Sequence, residues 1–396
     1  MDEGSTLGDN LRRVRKEHRY TQEGLADKAG LSTDVIRKLE QGIRRSARLT
    51  TLMKLANALD VDLTEITGKR ERLGTDRDGG SVLAIRNAIL SPSLLPGMPG
   101  LEADDSGDPT PLADLEATVS TAWRQYWMGD FGALTATVPR LINEVRMTQR
   151  SIGATAAGAL AQSFQLASCL LLHLGKTDLA AVAAERAITA ASDGEDEWQW
   201  AAVVSTLAWV LMYQGRLHES ENLAVRVAER IEPSFSAPVP HLAAWGNLLV
   251  AAIDTAAIAG RNVTDYVSMA SAGAERIGGL ASAYQTTFGS SKVAVNATHA
   301  YAMAGKTGDA LREARKVRVD DLPRIAYGHH LLDLAQVHID ARQFRAAETR
   351  LAEAHHLSSV WFRHQHLAVT LVGETRAAQT RQSPTIRTLA HAVGLD

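Results

Sequence analysis

Apolar residues recur at helical spacing through residues 5–72: Leu7, Leu11 and Val14, then Leu25, Ala26 and Ala29, then Val35, Ile36 and Leu39. Leu49, Leu52, Leu55, Ala56 and Leu59 continue the pattern. The spacing predicts four short helices, with Val61, Leu63 and Ile66 closing a small core through a fifth. Thr21 is placed to cap the second helix, Gly30 to end it in left-handed geometry, and Ser32 to cap the third.

Residues 73–111 are dense in Gly, Pro and charge and read as a linker with one short helix, "SVLAIRNAIL". Its apolar face, Val82, Ile85 and Ile89, can pack on the rest of the chain or on a second copy of the head. From residue 112 to 396 apolar helices follow one another without clear strand signals, and a period emerges. Turns recur in "WMGDFGAL", "HLGKTDLAA", "YQGRLHES", "IAGRNVTD" and "MAGKTGDAL", centred on Gly129, Gly175, Gly215, Gly260 and Gly305. A sixth, "DARQFRAAE", carries Arg342 at the equivalent place, and the successive spacings are 46, 40, 45, 45 and 37 residues. Each period holds two helices and a connection, so the fold class is all-α, a small helical head before an α-solenoid.

Composition changes this picture in two ways. The 45% apolar and 22% charged content is that of a globular protein, but its net charge of −3 is unevenly shared. Residues 1–72 carry 15 Lys and Arg against 12 Asp and Glu, a net of +3, and the remainder 27 against 33, a net of −6. A lone cysteine, Cys169, and no leader after Met1 fit a cytoplasmic protein. Ser151 to Gly175 has no charged residue, yet its glutamines and serines favour a buried helix over a membrane span. Nucleophile elbows, phosphate loops, dinucleotide fingerprints and zinc-binding spacings are absent from the sequence, the histidines at 355, 356, 364 and 366 included. No catalytic residue, metal or cofactor is therefore expected.

The stretch "LRRVRKEHRYTQEGLADKAGLSTDVIRKLEQGIRRS" resembles the phage-repressor-like (XRE, Cro-type) helix-turn-helix domains through almost every structural position. That resemblance implies a five-helix DNA-binding head over residues 1–72, with residues 33–41 as the helix that enters the major groove. On it, Thr33, Asp34, Arg37 and Lys38 would face base edges, Arg37 suiting the two acceptors of guanine. Gln22 and Ser32 match positions at the phosphate backbone, and Arg44, Arg45 and Arg48 follow where positive charge neutralises phosphates. Arg15 and Glu40 match an ion pair that braces the first helix against the third. Gly24, inside the second helix, departs from the family, as does the missing proline in "GIRRSARLT".

"AWRQYWMGDFGAL" and "FRAAETRLAEA" resemble tetratricopeptide (TPR) repeats, although most periods exceed that family's length of about 34 residues. The resemblance implies a concave groove lined by the first helix of each pair, roughly residues 157–174, 198–214, 241–259, 282–304 and 326–340. Candidate groove residues are Gln162 with Gln165, Trp209 with Tyr213, Trp245, Asn247 with Asp254, and Asn296 with His299. The whole resembles actinobacterial regulators that join such a head to a TPR-like body. The expected partners are a palindromic double-stranded operator, a small-molecule or peptide effector, and a second copy of the chain, because such heads bind paired half-sites. The alternative is a protein-interaction scaffold that its head localises on DNA.

Overall fold

The computed structural model describes residues 6–44, 47, 49–61, 65, 66, 82–91 and 109–395; Arg45, Arg48 and Leu63 lie outside the described residues. The head begins with α1 (Leu7–Glu17), α2 (Gln22–Ala29), α3 (Thr33–Glu40) and α4 (Leu49–Leu59). Thr6 starts α1 through a reciprocal capping box, its hydroxyl accepting from the Asp9 amide at 3.2 Å and its own amide donating to the Asp9 carboxylate at 3.1 Å. Thr21 caps α2 by accepting from the Gly24 amide at 3.0 Å, and Gly30 ends it at φ 60°. A Cβ at Gly24 would lie 3.2 Å from that capping hydroxyl, a tight approach that the hydroxyl would have to relieve. Ser32 occupies the N-cap position of α3, but its hydroxyl makes no capping bond. Leu11, Leu25, Ile36, Leu39, Leu52 and Leu55 are fully buried together.

Helix α5 (Val82–Ile89) packs on the body, with Ile85 and Ile89 fully buried in the body's main core. The body is a succession of antiparallel helix pairs: α6 (Leu112–Met128) with α7 (Phe131–Ile152), α8 (Ala157–His173) with α9 (Thr177–Ser192), α10 (Glu197–Tyr213) with α11 (Leu217–Arg230), and α12 (Val239–Ile258) with α13 (Thr264–Ile277). Next come α14 (Ser290–Met303) with α15 (Thr307–Ala314), α16 (Arg324–Asp340) with α17 (Phe344–Leu357), and α18 (Ser359–Arg363), α19 (His366–Ala377) and α20 (Pro384–Ala392). Five pairs turn at glycines with φ between 66° and 79°, and the sixth turns at Arg342 with φ 59°. Small side chains let partner helices approach: Ala180, Ala183, Ala184 and Ala187 are fully buried along α9. The Ser168 hydroxyl donates to the Ala180 carbonyl at 2.8 Å, and Ser220 to Ala208 at 2.6 Å, tying two successive pairs in the same way.

One element departs from the repeat. The fourth inner helix starts at Ser290 rather than 282, because Leu280–Ala283 (β1) and Thr286–Gly289 (β2) form a two-stranded antiparallel hairpin. Tyr284 and Gln285 both take positive φ, 51° and 61°, the geometry of a two-residue hairpin turn. Ala281 pairs with Phe288, and both point into the core. Two stretches, Phe131–His173 and Val239–Ile258, are apolar and long enough to cross a bilayer, yet 83% and 78% of their apolar windows are buried inside the fold.

The stack also closes on itself. Helix α16 packs against α6, and the Ser358 hydroxyl donates to the Gly129 carbonyl at 3.4 Å across 229 residues of chain. Gln365 approaches the His173 ring at 3.4 Å, and the His173 and His329 rings stack at 6.0 Å. The first and last pairs thus turn what would be an open groove into a chamber. Core packing around the hairpin is tight enough to test: a Cβ at Gly246 would lie 2.1 Å from the Phe288 ring, whereas Gly132 in α7 has nothing within 4 Å. Gly246→Ala is expected to cost about 1–3 kcal/mol of stability by overpacking. Gly132→Ala is expected to be neutral or to gain up to about 1 kcal/mol, and urea unfolding of the two variants checks the difference.

Candidate functional site

The head presents α3 outward. Val35, Ile36 and Leu39 turn to the head core, which leaves Asp34, Arg37 and Lys38 on the solvent side with side-chain exposures of 45%, 56% and 47%. Asp34 bridges both cations, at 2.5 Å to Arg37 and 2.5 Å to Lys38, and bonds from Lys38 and then Arg37 hold its carboxyl below the usual range. Thr33 is partly buried at the start of α3, and Ser32 and Arg44 are exposed on either side of it.

Behind this face lies a braced corner. The Arg15 guanidinium donates to both Glu40 oxygens, at 2.6 and 2.8 Å, and to the Tyr20 carbonyl at 2.7 Å. The two side chains are only 10% and 3% exposed. Burial raises the Glu40 carboxyl, but the bonds from Arg15 and Gln22 outweigh it and the carboxyl stays ionised below its ordinary value. Gln22 donates one amide hydrogen to Glu40 at 2.8 Å, and its amide carries a second hydrogen to give.

The body encloses a chamber of about 320 Å³, walled by α6, α8, α10, α12, α14, α16 and the start of α19. Seven of the nine groove candidates line it: Gln165, Trp209, Tyr213, Asn247, Asp254, Asn296 and His299. Two do not. Trp245 sits two residues from Asn247, about 200° round the helix, and packs in the core against Gly273 and Phe288. Gln162 faces a separate depression, where its carbonyl accepts from the Gln285 amide at 3.1 Å.

One end of the chamber is aromatic. Trp209 and Tyr213 meet edge to face at 5.5 Å, and Trp123, Tyr126 and His173 stand opposite. Cys169 lies among them with its thiol raised to about 12 by burial, hence unreactive. The other end is ionic. Asn296 donates to both Asp254 oxygens at 2.7 and 2.9 Å, and the His299 ring bonds Asp333 at 2.8 Å. Burial pushes His299 down, but the Asp333 carboxylate wins and lifts it to about 9, so the ring is protonated at neutral pH. Burial, helped by the nearby charges of Lys292 and His299 and opposed by Asp333, takes neighbouring His329 to about 4, which keeps it neutral. Burial also raises Asp254 and lowers Lys292, each of which draws the other back toward its charged form.

Lys292, His329 and Asp333 were not among the sequence candidates. Lys292 precedes Asn296 by four residues and His299 by seven, so extending that polar stripe by one turn reaches it. His329 and Asp333 show the same four-residue spacing, on a helix whose apolar periodicity dominates the reading. The two sites meet at α4. Met53 is 3% exposed and packs on Met212 and Ile258, with Trp209, Tyr213, Leu217 and Met303 around it. Four of these, Trp209, Met212, Tyr213 and Ile258, are chamber walls. On the far side the Thr370 hydroxyl donates to the Ala47 carbonyl at 3.4 Å.

The pair His299–Asp333 predicts a pH dependence. A folded-state pKa raised from 6.5 to about 9 contributes stability that is complete below pH 6.5 and lost as pH climbs through 9. Melting the protein between pH 6 and 10 should show a loss on the order of 3 kcal/mol that the Asp333→Asn variant lacks. Equal slopes in both proteins would refute the pairing.

Residues 11–66 match the family described as Helix-turn-helix. An uncharacterised helix-turn-helix-type transcriptional regulator of Sinorhizobium fredii is 38% identical over 66 residues, 17% of this chain and 84% of that protein. The immunity repressor protein of Bacillus phage phi105 is 36% identical over 64 residues, 16% of this chain and 44% of the repressor. The crystal structure of Bacillus thuringiensis PlcR in complex with a peptide and DNA aligns over 87% of this chain and 99% of that one, with 10% identity and a TM-score of 0.34. With a basic head, an outward α3 and a relative covered over most of its length, the chain belongs to the helix-turn-helix-type transcriptional regulators.

Proposed function

We propose that this DNA-binding regulator reads its operator with α3 and is controlled by an effector held in the chamber of its body. The observation that carries the second half is the seat of Met53, a head residue packed on four side chains that also wall the chamber. A ligand there touches the groups that hold the head. Any ligand that binds one arrangement of those groups better than another shifts the head's position by that difference in affinity. Two heads on a palindromic operator, roughly 34 Å apart, convert a shift in position into a change in DNA affinity.

On DNA, Arg37 and Lys38 exchange Asp34 for base edges, with Thr33 beside them. Arg37 is suited to a guanine, and Asp34, freed, to a cytosine amine. Gln22 gives its second amide hydrogen to a phosphate while Glu40 holds the first. Ser32, Arg44, Arg45 and Arg48 supply the rest of the backbone contacts. Arg15 and Glu40 fix the angle between α1 and α3, and their contribution is to shape. The body leaves the α3 face open, which supports a head competent for DNA while docked.

A protection footprint on DNA upstream of the gene, in excess competitor, tests the reading. Two protected patches one helical turn or a multiple apart are expected; diffuse, salt-sensitive protection would refute it. Arg37→Ala is expected to cost about 1–3 kcal/mol and to relax specificity at one base position, whereas Arg44→Ala weakens all sequences alike and lowers the salt slope by about 1. Equal effects of the two would count against α3 as the reading helix. For the coupling, Met53→Ala should loosen docking by about 2 kcal/mol. Hydrogen exchange would then speed in α4 and in residues 209–217 while Leu11 to Leu39 keeps its protection; unchanged α4 exchange would sever head from chamber.

A further inference from the structure

The chamber's unsatisfied chemistry points to a ligand class. Asn296 is 6% exposed, and because its amide nitrogen donates to the acceptor-only carboxylate of Asp254, its orientation is fixed with Oδ1 as the free end. That oxygen accepts no hydrogen bond. One turn earlier on the same face of α14, the Lys292 ammonium lines the chamber and donates to no described residue. An unmet acceptor and an unmet cationic donor therefore stand about 6 Å apart at their Cβ atoms. Gln165, 1% exposed, adds a second buried amide whose outer atom has no partner.

By formal count the groups around them balance, the carboxylates Asp254 and Asp333 facing the basic groups Lys292 and His299. A ligand with net charge would upset that balance where water cannot screen it, at a cost of several kcal/mol per ion. A molecule carrying both signs leaves it intact and satisfies both unmet groups. The volume sets the remaining limit. At about 320 Å³ the chamber lies at the lower end of ligand pockets, a volume that suits a small molecule. Its other end is an aromatic wall in which Trp209 and Tyr213 meet edge to face.

We propose that the chamber binds a small zwitterion carrying a flat aromatic ring, an aromatic amino acid or close analogue, with its carboxylate on Lys292, its ammonium on Asn296 Oδ1 and Asp254, and its ring against Trp209 and Tyr213. The assignment rests on the reading of the chamber as the effector site.

Calorimetry on the full-length protein with three probes tests it: L-tryptophan, tryptamine, which lacks the carboxylate, and indole-3-propionate, which lacks the amine. Tryptophan should bind at least tenfold more tightly than either, since each probe forfeits one charge-assisted bond. Lys292→Met should abolish the preference for tryptophan over tryptamine while leaving that over indole-3-propionate. Equal binding of the three, an unchanged preference in Lys292→Met, or no binding of any at millimolar concentration would overturn the zwitterion. The variant Ala326→Phe, which fills the chamber from α16, separates this failure from that of the effector reading. Altered operator affinity in Ala326→Phe without probe binding retires the ligand class alone; unaltered affinity with no probe binding retires both.

Discussion

Everything in the body depends on the seam where its last helix pair meets its first. A helical-repeat stack left open exposes its inner wall to water, and polar residues on that wall are then ordinary surface. Here the packing of α16 on α6, and the approach of Ser358 and Gln365 to Gly129 and His173, narrow the groove and bury much of its wall. Inside it, a carboxylate, an ammonium and an imidazole move away from their ordinary titration, and pairings that would be negligible on a surface decide which of them are charged. The seam is thus the origin of the site's electrostatics as much as of its shape.

The head shows the opposite economy of charge. Among its described residues the buried pair Arg15–Glu40 is doubly hydrogen-bonded and serves geometry, whereas Asp34 shares its charge between Arg37 and Lys38 in water at little cost to separate. A surface that, on the proposed reading, exchanges its partners for DNA is built from weak, exposed pairs. A corner that must not move is built from a strong, enclosed one.

Legibility followed the range of the determinants. The four head helices, the cap at Thr21 and the turn glycines depend on residues within a few positions of each other, and spacing alone located them. Arg342 was found as a glycine substitute because its neighbours kept the repeat's pattern. The β1–β2 hairpin was missed although "SAYQTTFG" carries threonines and an aromatic suited to strands; Tyr284 and Gln285 are unusual residues for a turn with positive φ, so the usual Asn-Gly signal was lacking. Placing Trp245 in the groove overlooked its rotation relative to Asn247. Closure of the chamber was not legible at all, since Gly129 and Ser358 are 229 residues apart and nothing local marks either as a seam.

Docking and reading are assigned to different helices: Met53 belongs to α4, whereas the exposed charges belong to α3. On the proposed reading, substitutions along α3 would retarget the protein to another promoter without disturbing its hold on the body, and changes in the chamber would alter what is sensed without altering where it acts. A gene encoding such a chain can be duplicated and rewired one input or one output at a time. Met53 is the joint between the two that both lineages would have to keep.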